Sequence, residues 1–425
     1  MQGVLPIMTI IDRYIFGFSL ILTLSIILKK VLNKLGFPSL AIFLGLGMLA
    51  GSEGIGGIYF DDFELAHSIG TISLIFVLYS SGLHTDWEKT RYIILEGLSL
   101  STVGVIVATT LIGFIIHLSL DLSILEGLLI GAILASTDVS AISLVLKSKN
   151  ISISPKTSAL LKFESGSNDP VAIFITLTLI HLLINPSISF ASSLLFLIQE
   201  VCFGILAGVI LGKLIQWIIV QMNLKGEGLA EIFSIGGALL AYVCAVSCKG
   251  NGFLASYIAG LVIAKKDFPS RQSIRSFHER ITWLIEITIF VTLGLLVFPS
   301  KLIPVIGPGL WIAIISILLA RPVSVFICMS FSKIKSNEKL FISWLGLKGG
   351  VTIILAIFPL VYNVSKADFI FNVIFFAVIV SVLLQQPLIN VIGRALGLEN
   401  IPGAKVYQPG LITENRLVDK QRKYS

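Results

Sequence analysis

Lys162-Phe163-Glu164-Ser165-Gly166-Ser167-Asn168-Asp169-Pro170-Val171-Ala172-Ile173-Phe174 sets two carboxylates and an Asn inside one long apolar run. A charged side chain at the centre of a bilayer costs about 2.5–3.5 kcal/mol on insertion scales, so an acid kept there points to ion or proton handling. Three more ionisable groups fall in the middle of apolar runs: Asp138 after Thr137, Arg321 in Ala320-Arg321-Pro322, and Lys348 in Gly346-Leu347-Lys348-Gly349-Gly350. Acting alone, the five would cost roughly 12–17 kcal/mol at the bilayer centre, against a domain stability of about 5–15 kcal/mol. They must therefore pair, face water or become neutral. Three acids against two bases leave one acid over, and that acid is the natural binder of a proton or a cation. Ser165 and Asp169 are i,i+4 and share one helix face, while Glu164 and Asn168 share another about 100° round. This spacing assigns Glu164 to a structural ion pair with a neighbouring base, for which Arg321 is the partner, and Asp169, with Ser165 on its face, to the exchange site. Asp138 and Thr137 each fit helix-end capping as well as ligation. Lys348 reads as a counter-charge for half-helix dipole ends. Pro170 is expected to break the helix locally and free the carbonyl near Gly166.

The elements that carry these groups follow from composition. The chain has 425 residues, 55% hydrophobic and 13% charged, with mean hydropathy +0.96; soluble domains carry about 25% charged residues. It reads as an all-α polytopic membrane protein. A bilayer core of about 30 Å needs about 20 apolar residues per helix, which gives thirteen candidate spans over 7–28, 38–52, 65–83, 93–117, 124–146, 157–184, 190–221, 229–248, 251–264, 281–299, 310–332, 340–362 and 367–395. Arg271 to Arg280 reads as a loop before the tenth span. With the N-terminus outside, and groups near span ends counted with the adjoining side, 25 of the 31 Lys and Arg fall on the cytoplasmic side, four fall outside and two, Arg321 and Lys348, lie mid-span. Excess basic charge on the cytoplasmic side orients short-looped membrane proteins. The expected organisation is a transmembrane domain over 1–395 and a short cytoplasmic tail over 396–425.

Several function classes drop out. The net charge of +7 follows from topology and is no nucleic-acid signal. Cys202, Cys244, Cys248 and Cys328 have neither disulfide nor metal spacing, and read as small buried residues. The scattered histidines suggest no metal site, and no cofactor is implied. An intramembrane aspartyl protease needs Tyr-Asp and Gly-x-Gly-Asp contexts, which do not occur. Hydroxyl and small residues around Thr137, and glycines around Lys348, mark two interrupted helices in corresponding halves, the mark of a transporter site at the membrane midplane. A cation- or pH-sensing membrane regulator and a sodium-coupled solute symporter remain alternatives to an exchanger.

Glu164-Ser165-Gly166-Ser167-Asn168-Asp169-Pro170, Thr137-Asp138, Ala320-Arg321-Pro322 and Gly346-Leu347-Lys348-Gly349-Gly350-Val351 resemble the monovalent cation:proton antiporters of the NhaP type, and among them the bacterial potassium/proton antiporters of the CvrA kind. The likeness extends to about residue 395. It implies thirteen helices in inverted repeats with two crossing interrupted helices, a mobile core bundle and a dimerisation bundle, hence a homodimer in the bacterial inner membrane. It also implies electroneutral exchange of protons for Na+ or K+. By position Asp169 matches the family's cation- and proton-binding Asp, Asn168 its neighbour, Ser165 and Thr137 accessory ligands, and Glu164 the acid paired with Arg321. The chain departs from the pattern at Val139, where Pro is common, at Lys348, where Arg is usual, and at Ser80-Ser81-Gly82, where an acid often precedes the Gly. The soluble C-terminal domain of the CvrA kind is not matched.

Overall fold

The computed structural model describes residues 10–32, 38–138, 151, 153–186, 190–224, 228–265 and 267–398. Residues 139–146 of the predicted fifth span and nearly all of the predicted tail lie outside the described residues. The described residues form helices in the order α1 Ile10–Leu32, α2 Ser39–Ala50, α3 Phe63–Leu83, α4 Ile94–Ser119, α5 Ile124–Ala135, α6 Pro155–Ile184, α7 Phe190–Gln221, α8 Leu229–Ser247, α9 Gly252–Lys265, α10 Arg271–Leu296, α11 Pro299–Cys328, α12 Ser336–Trp344, α13 Gly350–Val361 and α14 Ala367–Ala395. Seven of them are long and apolar enough to cross a membrane, and α2, α5, α9 and α13 are shorter apolar helices.

Local chemistry fixes where the functional helices begin. A capping box starts α5: Ser123 Oγ accepts from the Glu126 N–H at 3.2 Å, and the Glu126 carboxylate accepts from the Ser123 N–H at 2.8 Å. This pairing satisfies two N–H groups that no helical carbonyl can reach. Ser154 caps α6, accepting from the Thr157 N–H at 3.1 Å, and Pro155 takes the first helical position, where its missing N–H costs nothing.

The helices sort into two bundles by their packing. In one, α4 lies on α5, α6 and the end of α11, while α14 lies on α13 and α11. In the other, α9 packs on α3, α7 and α8, α10 packs on α2 and α3, and α1 joins α2. The bundles meet where α3 touches α6 and α13, α10 touches α13, and α9 touches α6.

Three expectations are corrected. The tenth helix begins at Arg271 rather than about 281; the Arg271 to Arg280 segment is helical because an amphipathic first half can keep its polar face out of the apolar core. α6 runs unbroken through Pro170, since the loss of a single i→i−4 bond is tolerated where neighbouring helices hold both sides. The predicted span over 190–221 is found as α7, one continuous helix of 32 residues, about 48 Å at 1.5 Å per residue, which must tilt in a bilayer of about 30 Å. Cys202, Cys244 and Cys248 are exposed on the outer face of the bundle, not buried.

Small residues let the second bundle close. A Cβ on Gly47 would come within 2.3 Å of the Val291 carbonyl oxygen, and one on Gly294 within 2.4 Å of that of Leu44. With no hydrophobic effect between helices in lipid, such backbone proximity carries the packing of α2 on α10. Gly294→Val is expected to destabilise the protein by about 1–3 kcal/mol through overpacking, seen as a lowered melting temperature of the detergent-purified chain.

Candidate functional site

Two helix interruptions cross at the centre of the first bundle. α5 ends at Ala135, and Ser136 to Asp138 are non-helical. Between α12 and α13 the residues Leu345 to Gly349 are likewise unwound. The two segments join directly, the Asp138 N–H donating to the Leu347 carbonyl at 2.8 Å. Unwound backbone inside a bilayer survives only where protein or a cavity satisfies it, and here each segment supplies part of the other's need. The Lys348 N–H donates to Ser381 Oγ at 3.2 Å, and Ser381 in turn bonds Gln385, whose Nε2 donates to the Trp344 carbonyl at 2.9 Å. α14 therefore pins both sides of the second interruption. A Cβ on Gly349 would come within 2.5 Å of the Asp138 carboxylate, and one on Gly346 within 2.6 Å of Arg321 Nε. Only glycine allows the segments to lie this close.

Arg321 follows a π-helical segment, Ile315–Ala320, inside α11; such bulges re-aim the residues after them and recur at functional sites. Its guanidinium donates to Glu164 through both forks, Nη1 to Oε1 at 3.0 Å and Nη2 to Oε2 at 3.1 Å. The side chains are 8% and 1% exposed. Glu164 Oε1 also accepts from Thr137 Oγ1 at 3.4 Å and Asn168 Nδ2 at 3.0 Å. Asn168 Nδ2 donates further to Thr137 Oγ1, and Ser165 Oγ donates to the Thr137 carbonyl at 3.0 Å. Glu164, Asn168, Ser165, Thr137 and Arg321 thus form one network joining α6, the α5 interruption and α11.

Asp169 stands beside this network. It is buried, and Ser136 Oγ donates to its Oδ1 at 2.6 Å. Asn168 Oδ1, fully buried next to it, has no hydrogen-bond partner among the described residues. An uncommitted acceptor oxygen, a carboxylate and a hydroxyl are the hard oxygen donors that suit an alkali cation. A hydroxyl can serve either state, since Ser136 can donate to a bare carboxylate or turn a lone pair to an ion. Lys348 is buried on the other interruption.

Ser136 was not among the candidates drawn from the sequence, although it adjoins Thr137. Ser167 Oγ pairs with Tyr257 OH at 2.7 Å, a link from α6 to α9 across the two bundles that no local pattern announces. Ser81 lies against Gly166, where a Cβ would meet its Oγ at 2.5 Å, so a short side chain is required at 166. Glu338 in the first turn of α12 bonds both Ser154 and Thr157 at the start of α6. Glu286 of α10 was also overlooked.

The ion pair's geometry makes a direct prediction. Arg321→Ala should destabilise the protein by about 3–5 kcal/mol, because it leaves a carboxylate buried and unpaired. The double variant Glu164→Gln/Arg321→Ala should recover a large part of that loss, as read from melting curves in detergent.

Comparison with known proteins follows this geometry. Residues 19–394 match the family model described as "Sodium/hydrogen exchanger, transmembrane". The K(+)/H(+) antiporter NhaP2 of Shewanella baltica is 37% identical over 395 residues, covering 92% of this chain and 68% of that protein. Na(+)/H(+) antiporter 1 of Methanocaldococcus jannaschii is 30% identical over 362 residues, covering 82% and 84%. The structure of the sodium proton antiporter MjNhaP1 from Methanocaldococcus jannaschii at pH 8 superposes with a TM-score of 0.79 at 26% identity, covering 91% of this chain and 99% of that one. The family model and these relatives span most of the chain, the superposition extends over its helical fold, and the chain belongs to the sodium/hydrogen exchanger family.

Proposed function

We propose that the protein is a secondary transporter that exchanges protons for monovalent cations, Na+ or K+, across the membrane, with Asp169 binding one proton or one cation in competition. The observation that carries this is the division of labour between the two acids of α6. Glu164 is taken up by the Arg321 fork, while Asp169 holds a hydroxyl and sits beside an open acceptor oxygen. The relatives named K(+)/H(+) and Na(+)/H(+) antiporters support the same exchange.

In this mechanism a bare Asp169 carboxylate is costly to carry through a low-dielectric region, and a protonated or cation-loaded one is cheap. The loaded forms therefore cross and the empty form does not, which couples the two fluxes. The bundle of α4, α5, α6, α11, α12, α13 and α14 moves as a unit because its ties are internal: the Arg321–Glu164 fork, Glu338 on the start of α6, and Lys156 on Glu96 at 2.6 Å. Asn168, Ser165, Thr137 and Asp138 shape the site, and Lys348 supplies counter-charge at the crossing. The other bundle presents the outer face of α7, with Leu195, Ile198, Ile205 and Leu206 exposed; a homodimer through that face belongs to the proposal. So does an N-terminus outside and a C-terminus in the cytoplasm of a bacterial inner membrane, supported by the basic excess of the assigned cytoplasmic loops.

Addition of Na+ or K+ to acid-loaded everted vesicles holding the wild-type chain should collapse the pH gradient, with no organic solute present. Asp169→Asn should abolish this. Cation-driven proton flux surviving in Asp169→Asn would sink the mechanism. A wild type silent towards every alkali cation would favour the sensing alternative, and one that moves protons only with an organic solute would favour the symporter.

A further inference from the structure

Glu286 sits in the second half of α10, half-buried, where an apolar residue would be the ordinary choice. Its surroundings tie it to the crossing from the other bundle. Phe290, one turn along the same face, lies where a Cβ on Gly350 would touch its ring at 2.8 Å. Gly349, the neighbouring residue, is packed against the Asp138 carboxylate. Glu286 lies between Trp283 and Phe290 on this face of α10, and so between the Lys29 end of α1 and the Asp138 interruption, whose charges both act on it. Lys29, in the last turn of α1, has its ammonium 4.3 Å from the ring centre of Trp283 and 5.9 Å from that of Phe43. Trp283 is i−3 to Glu286 on the same face of α10. Lys29, Trp283, Glu286, Phe290, Gly350, Gly349 and Asp138 thus form one line from the end of α1 to the α5 interruption.

We propose that Glu286 is a cation-selecting carboxylate on the approach to Asp169, with Lys29 as its resident counter-charge, displaced from it by each incoming monovalent cation. The inference rests on the exchange mechanism above. Two carboxylates presented from facing bundles, Glu286 from one and Asp138 from the other, would raise the local cation concentration through their field. Left bare, they would also repel each other. A lysine ammonium carries the same single charge as Na+ or K+ on a flexible four-carbon stem. It can neutralise the approach when no ion is present, then withdraw onto the faces of Trp283 and Phe43, which stabilise a cation by their ring quadrupoles. Lys29 therefore competes with the transported ion, and Glu286 attracts both.

The test titrates Na+, K+ and Li+ separately in everted vesicles with the full chain. Glu286→Gln should raise the half-saturating cation concentration about tenfold, the low end of what field focusing supplies, while the rate at saturation stays within about twofold. Glu286→Asp should restore the wild-type value. Lys29→Gln should lower the half-saturating concentration several-fold, and should have no such effect when Glu286 is already Gln. The opposite direction of the Lys29 effect separates this role from a packing defect, which would weaken both variants alike. The inference is overturned if Glu286→Gln loses saturating rate with an unchanged half-saturating concentration, or if Lys29→Gln shifts it upward or not at all. In either case a wild type that exchanges normally, and an inactive Asp169→Asn, leave the exchange mechanism standing; loss of exchange in the wild type would instead remove that mechanism.

Discussion

The buried fork between Arg321 and Glu164 is the interaction on which the rest of the site depends. Neither charge could stay ionised at that depth alone, because desolvating each costs several kcal/mol. The fork-to-carboxylate geometry and the added donors from Thr137 and Asn168 satisfy both. The consequence reaches further than stability. In the exchange proposed above, Arg321 takes Glu164 out of competition for cations, and α6 offers one acid rather than two. The same fork joins α11 to α6, and through Thr137 to the α5 interruption, holding the parts of the site in one rigid frame.

The crossing of the two interruptions is a second constraint, and it sets the glycines. Backbone amides and carbonyls freed from helices must find partners in a bilayer. Asp138 and Leu347 find each other, and Ser381 takes the Lys348 N–H. Those bonds require backbones in near contact, which explains why Gly346 and Gly349 flank Lys348. A side chain at either position would collide with Arg321 or Asp138. Placement of the charges and choice of the small residues are thus one problem, solved together.

This logic explains what could be read from the sequence and what could not. Asp138, Glu164, Asp169, Arg321 and Lys348 stood out because each interrupts an apolar run, where its cost is conspicuous. Glu286 escaped notice because eight of the first ten residues of α10 are polar, and an acid soon after them looks like the tail of a polar segment. The Ser167–Tyr257 bond joins residues 90 apart, and no periodicity in either helix encodes it. Pro170 misled for a different reason. Its missing N–H is a local fact, whereas the continuity of α6 depends on neighbours. The exposed cysteines follow the same pattern: in a membrane protein an apolar stretch does not say which face meets lipid, since both faces are apolar.

Charge near the crossing also bears on stoichiometry. Counted by side-chain type, the acids Asp138, Glu164 and Asp169 outnumber the bases Arg321 and Lys348 by one. Glu286 and Lys29 add one acid and one base, so the excess stays at one. A single proton brings the cluster to neutrality, and so does a single monovalent cation. A divalent ion would leave it positive, and an empty site leaves it negative. In a low-dielectric surrounding, where an uncompensated charge is far more costly than in water, only the two singly loaded forms are neutral. In the exchange proposed above, the equality of those two forms, set by the count of charged side chains rather than by any one ligand, would favour trading one ion for one proton.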